Sequence, residues 1–122
     1  MAGQLTIDTL KASSGVLATQ NGMTGIAKAW CNYNGATSTI TGSYNISSVT
    51  KNGTGDYTFN FSTAMPNSTY VTLTTASDTP TAGTYSVVYG SSQTTSSVRC
   101  LYFTSGGAGN DRAASYMAVL SS

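Results

Sequence analysis

Four carboxylates, Asp8, Asp56, Asp78 and Asp111, are the whole acid inventory of this 122-residue chain, which contains neither Glu nor His. Two carboxylates suffice for retaining or inverting glycoside hydrolysis. All four lie in or beside Thr-, Gly- and Asn-rich stretches, where Asp serves as a cap or an Asx-turn former, so the structural reading outweighs the catalytic one. The lack of His removes Ser-His-Asp and Cys-His relays, imidazole zinc sites and imidazole pH switching. Ser-Lys catalysis is the one nucleophilic option left. With 39 residues of Ser or Thr it nominates nothing in particular, and no Gly-x-Ser-x-Gly elbow occurs. Gly106-Gly107-Ala108-Gly109-Asn110-Asp111 is Gly-rich but has no Lys-Ser/Thr after it, and it reads as a hairpin loop rather than a phosphate cradle.

Cys31 and Cys100 lie in different expected strands, each on the apolar face. A disulfide needs Cα atoms within about 7 Å, which spacing alone does not establish. Buried free thiols acting as small apolar fillers are the expectation. Two Cys without His make a zinc site unfavourable, and no cofactor or metal is expected. Four Asn-x-Ser/Thr matches, at Asn45, Asn52, Asn60 and Asn67, are what chance supplies in so hydroxyl-rich a chain. Trp30 alternates with Lys28 and Asn32, opposite Ala27, Ala29 and Cys31. A tryptophan on a polar strand face reads as an interface or second-core residue ahead of a sugar-stacking platform.

The elements that must position these residues are strands. Helix formers are scarce, while β-branched, aromatic and turn residues dominate. Period-2 alternation runs through 25–34, more weakly through 38–49 with a break at Gly42, and then through 57–62, 69–76, 84–89, 97–104 and 114–121. Lys51-Asn52-Gly53-Thr54-Gly55-Asp56 reads as a hairpin turn, because Asn-Gly tolerates positive φ. Tyr57, Phe59 and Phe61 share one face of the cleanest half-buried strand. The spacing predicts an all-β, antiparallel, jelly-roll-like β-sandwich of about seven or eight strands over 25–122. Residues 1–24 are expected to be an extended N-terminal arm for docking or trimerisation.

The strands 97–104 and 114–121 are apolar on both sides, with Leu101 and Phe103 behind Val98, Cys100 and Tyr102, and Met117 and Val119 behind Tyr116, Ala118 and Leu120. A two-layer sandwich does not need that by itself. Ile7, Leu10, Trp30, Leu101, Phe103, Met117 and Val119 are therefore the expected oligomer-interface residues. With 39% apolar content and a net charge of +1, the chain belongs among folded single domains and offers no electrostatic footprint for nucleic acid or an anionic membrane. No run of about 20 apolar residues exists to cross a membrane as a helix. The opening Met1-Ala2-Gly3-Gln4-Leu5-Thr6 lacks a basic-then-apolar profile, so export by the usual route is not expected.

From Gly25-Ile26-Ala27-Lys28-Ala29-Trp30-Cys31-Asn32-Tyr33-Asn34-Gly35, through the block 43–61, to Thr63-Ala64-Met65-Pro66-Asn67, the chain resembles a module of bacteriophage tail fibres and other virion proteins, notably of phages of marine bacteria. The resemblance covers about 25–119, is most specific over 45–67, and extends to what precedes the module at 5–22. It implies a β-sandwich, usually trimeric, on the outside of the particle, and it carries no catalytic residues. If the 122 residues from Met1 are the whole gene product, an ordinary long tail fibre is not expected, and if they are a fragment, the tip is. The expectation is therefore a non-enzymatic virion surface protein, assembled in the bacterial cytoplasm as a homotrimer. It would be a capsid decoration protein, a head fibre or a short tail fibre that docks on capsid or tail proteins. The alternative is the tip of a receptor-binding fibre that binds or processes host surface glycan. Candidate receptor-contact residues are Asp78, Thr81, Ser91, Gln93, Asn110 and Asp111.

Overall fold

The computed structural model describes residue 3 and residues 26–77, 84–89 and 92–121. The expected arm, with Ile7 and Leu10, lies outside the described residues apart from Gly3, and so do Asp78, Thr81 and Ser91. Eight strands follow in order: β1 (Ala27–Asn34), β2 (Thr39–Tyr44), β3 (Ile46–Gly53), β4 (Asp56–Phe61), β5 (Val71–Ser77), β6 (Thr84–Val88), β7 (Ser97–Thr104) and β8 (Ala114–Leu120). They form two four-stranded sheets, β2-β1-β8-β5 (sheet A) and β3-β4-β7-β6 (sheet B), in which every neighbouring pair is antiparallel. The pairs β1–β2, β3–β4 and β6–β7 are consecutive within a sheet, and the other connections cross between sheets. The chain is thus an all-β sandwich.

The core lies between the sheets and is built from alternate residues of the four central strands: Ala29, Cys31 and Tyr33 of β1, Tyr57, Phe59 and Phe61 of β4, Val98, Cys100 and Tyr102 of β7, and Met117 and Val119 of β8. Its centre is aromatic. The Tyr33 ring meets Tyr57 edge-on at 4.8 Å and Phe59 at 6.4 Å, and Tyr57 lies 5.6 Å from Tyr102. Each such pair contributes about 0.5–1.5 kcal/mol beyond its burial.

Three expectations change. Met117 and Val119 face inward and are core residues, so they cannot line an interface of the folded chain. The register of β8 against β1 and β5 sends Tyr116, Ala118 and Leu120 outward instead. Lys28 does not share the open face of Trp30. A register shift between Ala27 and Ala29 leaves it as the extra residue of a bulge, and it is buried.

The weak strand over 38–49 breaks at Asn45 rather than at Gly42, and the chain changes sheet there. Asn45 adopts φ 55°, which Asn tolerates better than most L-residues. Its amide donates to the Lys28 and Thr63 carbonyls while its Oδ1 accepts from the Thr63 N–H at 2.7 Å.

Within the expected segment 51–56 the β3–β4 turn falls at Thr54-Gly55, two residues past the Asn-Gly pair, and β3 runs on through Gly53. Gly55 has φ 70°, and a Cβ there would lie 2.3 Å from the Tyr102 carbonyl and 2.5 Å from the Asn110 nitrogen. Gly53 would meet nothing within 4 Å. Replacing Gly55 by Ala is expected to cost about 2–3 kcal/mol from backbone strain and crowding, whereas Gly53→Ala stays within about 0.5 kcal/mol of wild type. Urea unfolding midpoints of the two variants check the placement of the turn, since a turn at Asn52-Gly53 reverses the order.

Candidate functional site

Both outer faces carry apolar side chains, and five of the exposed ones lie on β5, β6 and just beyond it. In β4 the alternation is conventional, with Tyr57, Phe59 and Phe61 inside and Asp56, Thr58 and Asn60 on the other face. In β5 it is inverted. Val71 and Leu73 point outward, 55% and 54% exposed, while Thr72, Thr74 and Ala76 turn towards the other sheet. On β6 and just beyond it, Tyr85, Val87 and Tyr89 are exposed, and Ser86 and Val88 face inward. Because side chains alternate with a period of 2, a one-residue slip would exchange these sets. The unbroken ladder between β5 and β8 fixes the observed choice.

On sheet A the register aligns Tyr44, Trp30, Ala118 and Leu73 in one row, and Gly42, Asn32, Tyr116 and Thr75 in the next. Large residues flank a small one. Trp30, 43% exposed, and Leu73 form the walls and Ala118 the floor of a groove of about 590 Å³, with Asn32, Thr75 and Tyr116 at one end. None of the nine residues lining it is charged.

On sheet B, Tyr85 stands beside Phe103 and Val87 beside Leu101, which makes an aromatic and aliphatic ridge over β6 and β7. Arg99 bounds it, with its guanidinium 5.0 Å from the centre of the Tyr89 ring. Trp30, Leu101 and Phe103 therefore sit on outer faces, as an interface role requires, but on two different sheets.

Four of the described charges are joined in two ion pairs. Arg99 grips Asp56 through two hydrogen bonds, of 2.8 and 2.5 Å. That contact outweighs the desolvation and holds the Asp56 carboxyl below its ordinary value. Asp111 accepts from Lys51 Nζ at 2.6 Å, from the Tyr57 hydroxyl at 2.6 Å and from the Gly55 N–H at 2.9 Å. Desolvation pushes this carboxyl up, and the three donors together, with the Lys51 charge, bring it below the usual range. A glycosidase acid needs the opposite shift, so neither carboxylate is set up for that role.

Ser48 and Lys51 have the Ser-x-x-Lys spacing, but they occupy opposite faces of β3. Lys51 turns to Asp111, and Ser48 Oγ accepts from Asn60 Nδ2. Cys31 and Cys100 are free and buried, and burial pushes their thiols up to about 11 and about 12. No group of three or more potential metal ligands occurs among the described residues.

Of the expected contact residues, Gln93, Asn110 and Asp111 are described, and each makes hydrogen bonds within the fold. Asp111 holds the β3–β4 turn, and the Asn110 N–H bonds to the Tyr102 carbonyl. Gln93 donates to the Ser68 and Tyr70 carbonyls, tying two connections together. What sequence reasoning missed is the outward direction of Val71, Leu73, Tyr85 and Val87. Their alternation was visible, and its phase was not. No family model, curated protein or solved structure matches this chain.

Tyr57→Phe removes the hydroxyl donor to Asp111 and is expected to cost about 2 kcal/mol at pH 7. Because the folded state lowers the Asp111 carboxyl, its contribution is complete above the ordinary carboxylate range of about pH 4 and is lost as pH falls through the folded value. The stability gap between wild type and Asp111→Asn should therefore shrink on going from pH 7 to pH 2.5, as followed by urea unfolding. Both thiols should resist a disulfide reagent at pH 8 in the native protein and react once it is unfolded in guanidinium.

Proposed function

We propose that this chain is a non-enzymatic structural protein of a bacteriophage virion, displayed on the particle surface as a homotrimer that packs against capsid or tail proteins. The observation that carries the reading is the inverted alternation of β5 and β6, which sends Val71, Leu73, Tyr85, Val87 and Tyr89 outward on a side of the sandwich that bears few charges. Large exposed apolar surface of this kind marks an interaction face.

Further support comes from Asp56 and Asp111, whose carboxylates are occupied by Arg99 and Lys51. The resemblance of 45–67 to a virion module supports the placement on a phage particle. A second reading, the tip of a receptor-binding fibre, draws on Trp30, whose exposed indole beside Asn32 and Thr75 could stack on a neutral sugar.

Light scattering on the purified chain should give three times the 12.5 kDa chain mass, and the protein should co-sediment with phage particles. A monomer that does not associate with particles removes the structural reading. Turnover of host polysaccharide that Asp56→Asn abolishes would move the chain to the enzymes.

A further inference from the structure

The two apolar faces are unlike each other and border the same side of the sandwich, where β5 and β6 run next to each other as the edge strands of their sheets. One is a trough, with Trp30 and Leu73 flanking Ala118. The other is a ridge, with Tyr85, Val87 and Tyr89 standing on β6 and its end. We propose that the ridge of one copy docks into the trough of the next, making a head-to-tail contact between copies of this chain. The proposal rests on the reading that the protein assembles, and it names the surfaces through which it does so.

The edge strands indicate which side is meant to be covered. Exposed edges are usually blunted by bulges, charges or proline. On the far side, the ladder between β2 and β1 shifts at Asn32/Tyr33. The ladder between β3 and β4 shifts twice, and β3 carries Lys51. On the near side, the ladders of β5 and β6 run without a shift, and neither strand contains a charged residue or proline. Val71, Leu73, Tyr85, Val87 and Tyr89 lie on or beside these unprotected strands, whereas the exposed Ile40 and Tyr44 of β2 lie on the edge whose ladder is interrupted.

A second copy fits better than an unrelated partner because one molecule supplies both complementary shapes. Per contact, the exposed apolar side chains of trough and ridge amount to about 430 Å², taking about 200 Å² for a whole aromatic side chain and less for an aliphatic one. Half-buried Leu101, Phe103 and Tyr116 and the polar rim add to this. A standard interface buries about 1,600 Å² in total. Each contact is therefore modest, and a closed ring, in which every copy uses its trough and its ridge, gives each copy two of them.

The test uses the full chain. Leu73→Asp in the trough and Val87→Asp on the ridge change exposed positions and should leave the circular dichroism unchanged. Each is expected to reduce the assembly to monomer mass by light scattering. For orientation, Leu73→Cys and Val87→Cys chains are mixed under mild oxidation. A head-to-tail contact joins unlike variants, and the buried native thiols do not compete.

Trp30, the sole tryptophan, reports on the trough. Its emission should shift to shorter wavelength on assembly and stay at longer wavelength in the Val87→Asp monomer. An assembled wild type whose mass is unchanged in both Asp variants overturns these surfaces while leaving assembly intact. Cross-linking of like with like overturns the head-to-tail contact. Short-wavelength emission from the Val87→Asp monomer means that the trough is already covered within one chain, and it overturns the proposal too. A wild type that is monomeric at all concentrations overturns assembly itself.

Discussion

Tyr57 is fully buried, and its hydroxyl, beside the β3–β4 turn, must have an acceptor. Asp111 provides it at 2.6 Å, and the rest of the molecule converges on that contact. The Tyr57 ring packs on Tyr33 from sheet A and on Tyr102 from sheet B. The same carboxylate accepts from the Gly55 N–H in the β3–β4 turn and pairs with Lys51, while the Gly55 carbonyl accepts from the Tyr102 N–H. One buried phenol thus connects both sheets, a hairpin turn and the segment leading into β8. A second tyrosine acts similarly at another position. The Tyr70 hydroxyl donates to the Thr94 and Ser97 carbonyls, and Phe61 packs against its ring.

This arrangement explains why a chain with so few charges can place two of its aspartates in ion pairs that do no evident chemistry. Asp111 satisfies a buried donor and restrains a turn. Asp56 neutralises Arg99 beside an aromatic surface. Both carboxyls are lowered, which suits permanent charge partners and not proton donors. Chemistry is also withheld from the thiols, whose burial raises them well above neutral pH. Among the described residues, the outer faces present a trough on one sheet and a ridge on the other.

Much of the fold was legible in advance. The strands over 97–104 and 57–61 and the core faces of Tyr57, Phe59, Phe61, Val98, Cys100 and Tyr102 follow from period-2 alternation between bulky apolar and polar residues. The errors lie where local pattern is silent. Asn45 turns the chain because its amide finds the Lys28 and Thr63 backbone, a contact 17 and 18 residues away in sequence. Lys28 is buried because a bulge interrupts β1, and nothing in Ala-Lys-Ala announces one. The bonds of Gln93 and Asp111 to segments 23 to 60 residues away are likewise invisible in the local sequence.

The sequence by itself determined that this is a strand protein with aromatic inner faces, two buried thiols and almost no catalytic inventory, because residue type and alternation are local properties. Only the tertiary structure decided which of the two faces each strand buries. Val71-Thr72-Leu73-Thr74 alternates as well as Tyr57-Thr58-Phe59-Asn60, yet its apolar residues face out. The reason is that alternation defines two sets of side chains without assigning either to the core. That assignment comes from register against a neighbouring strand, here β8, which pairs Leu73 with Ala118 and fixes the outward set.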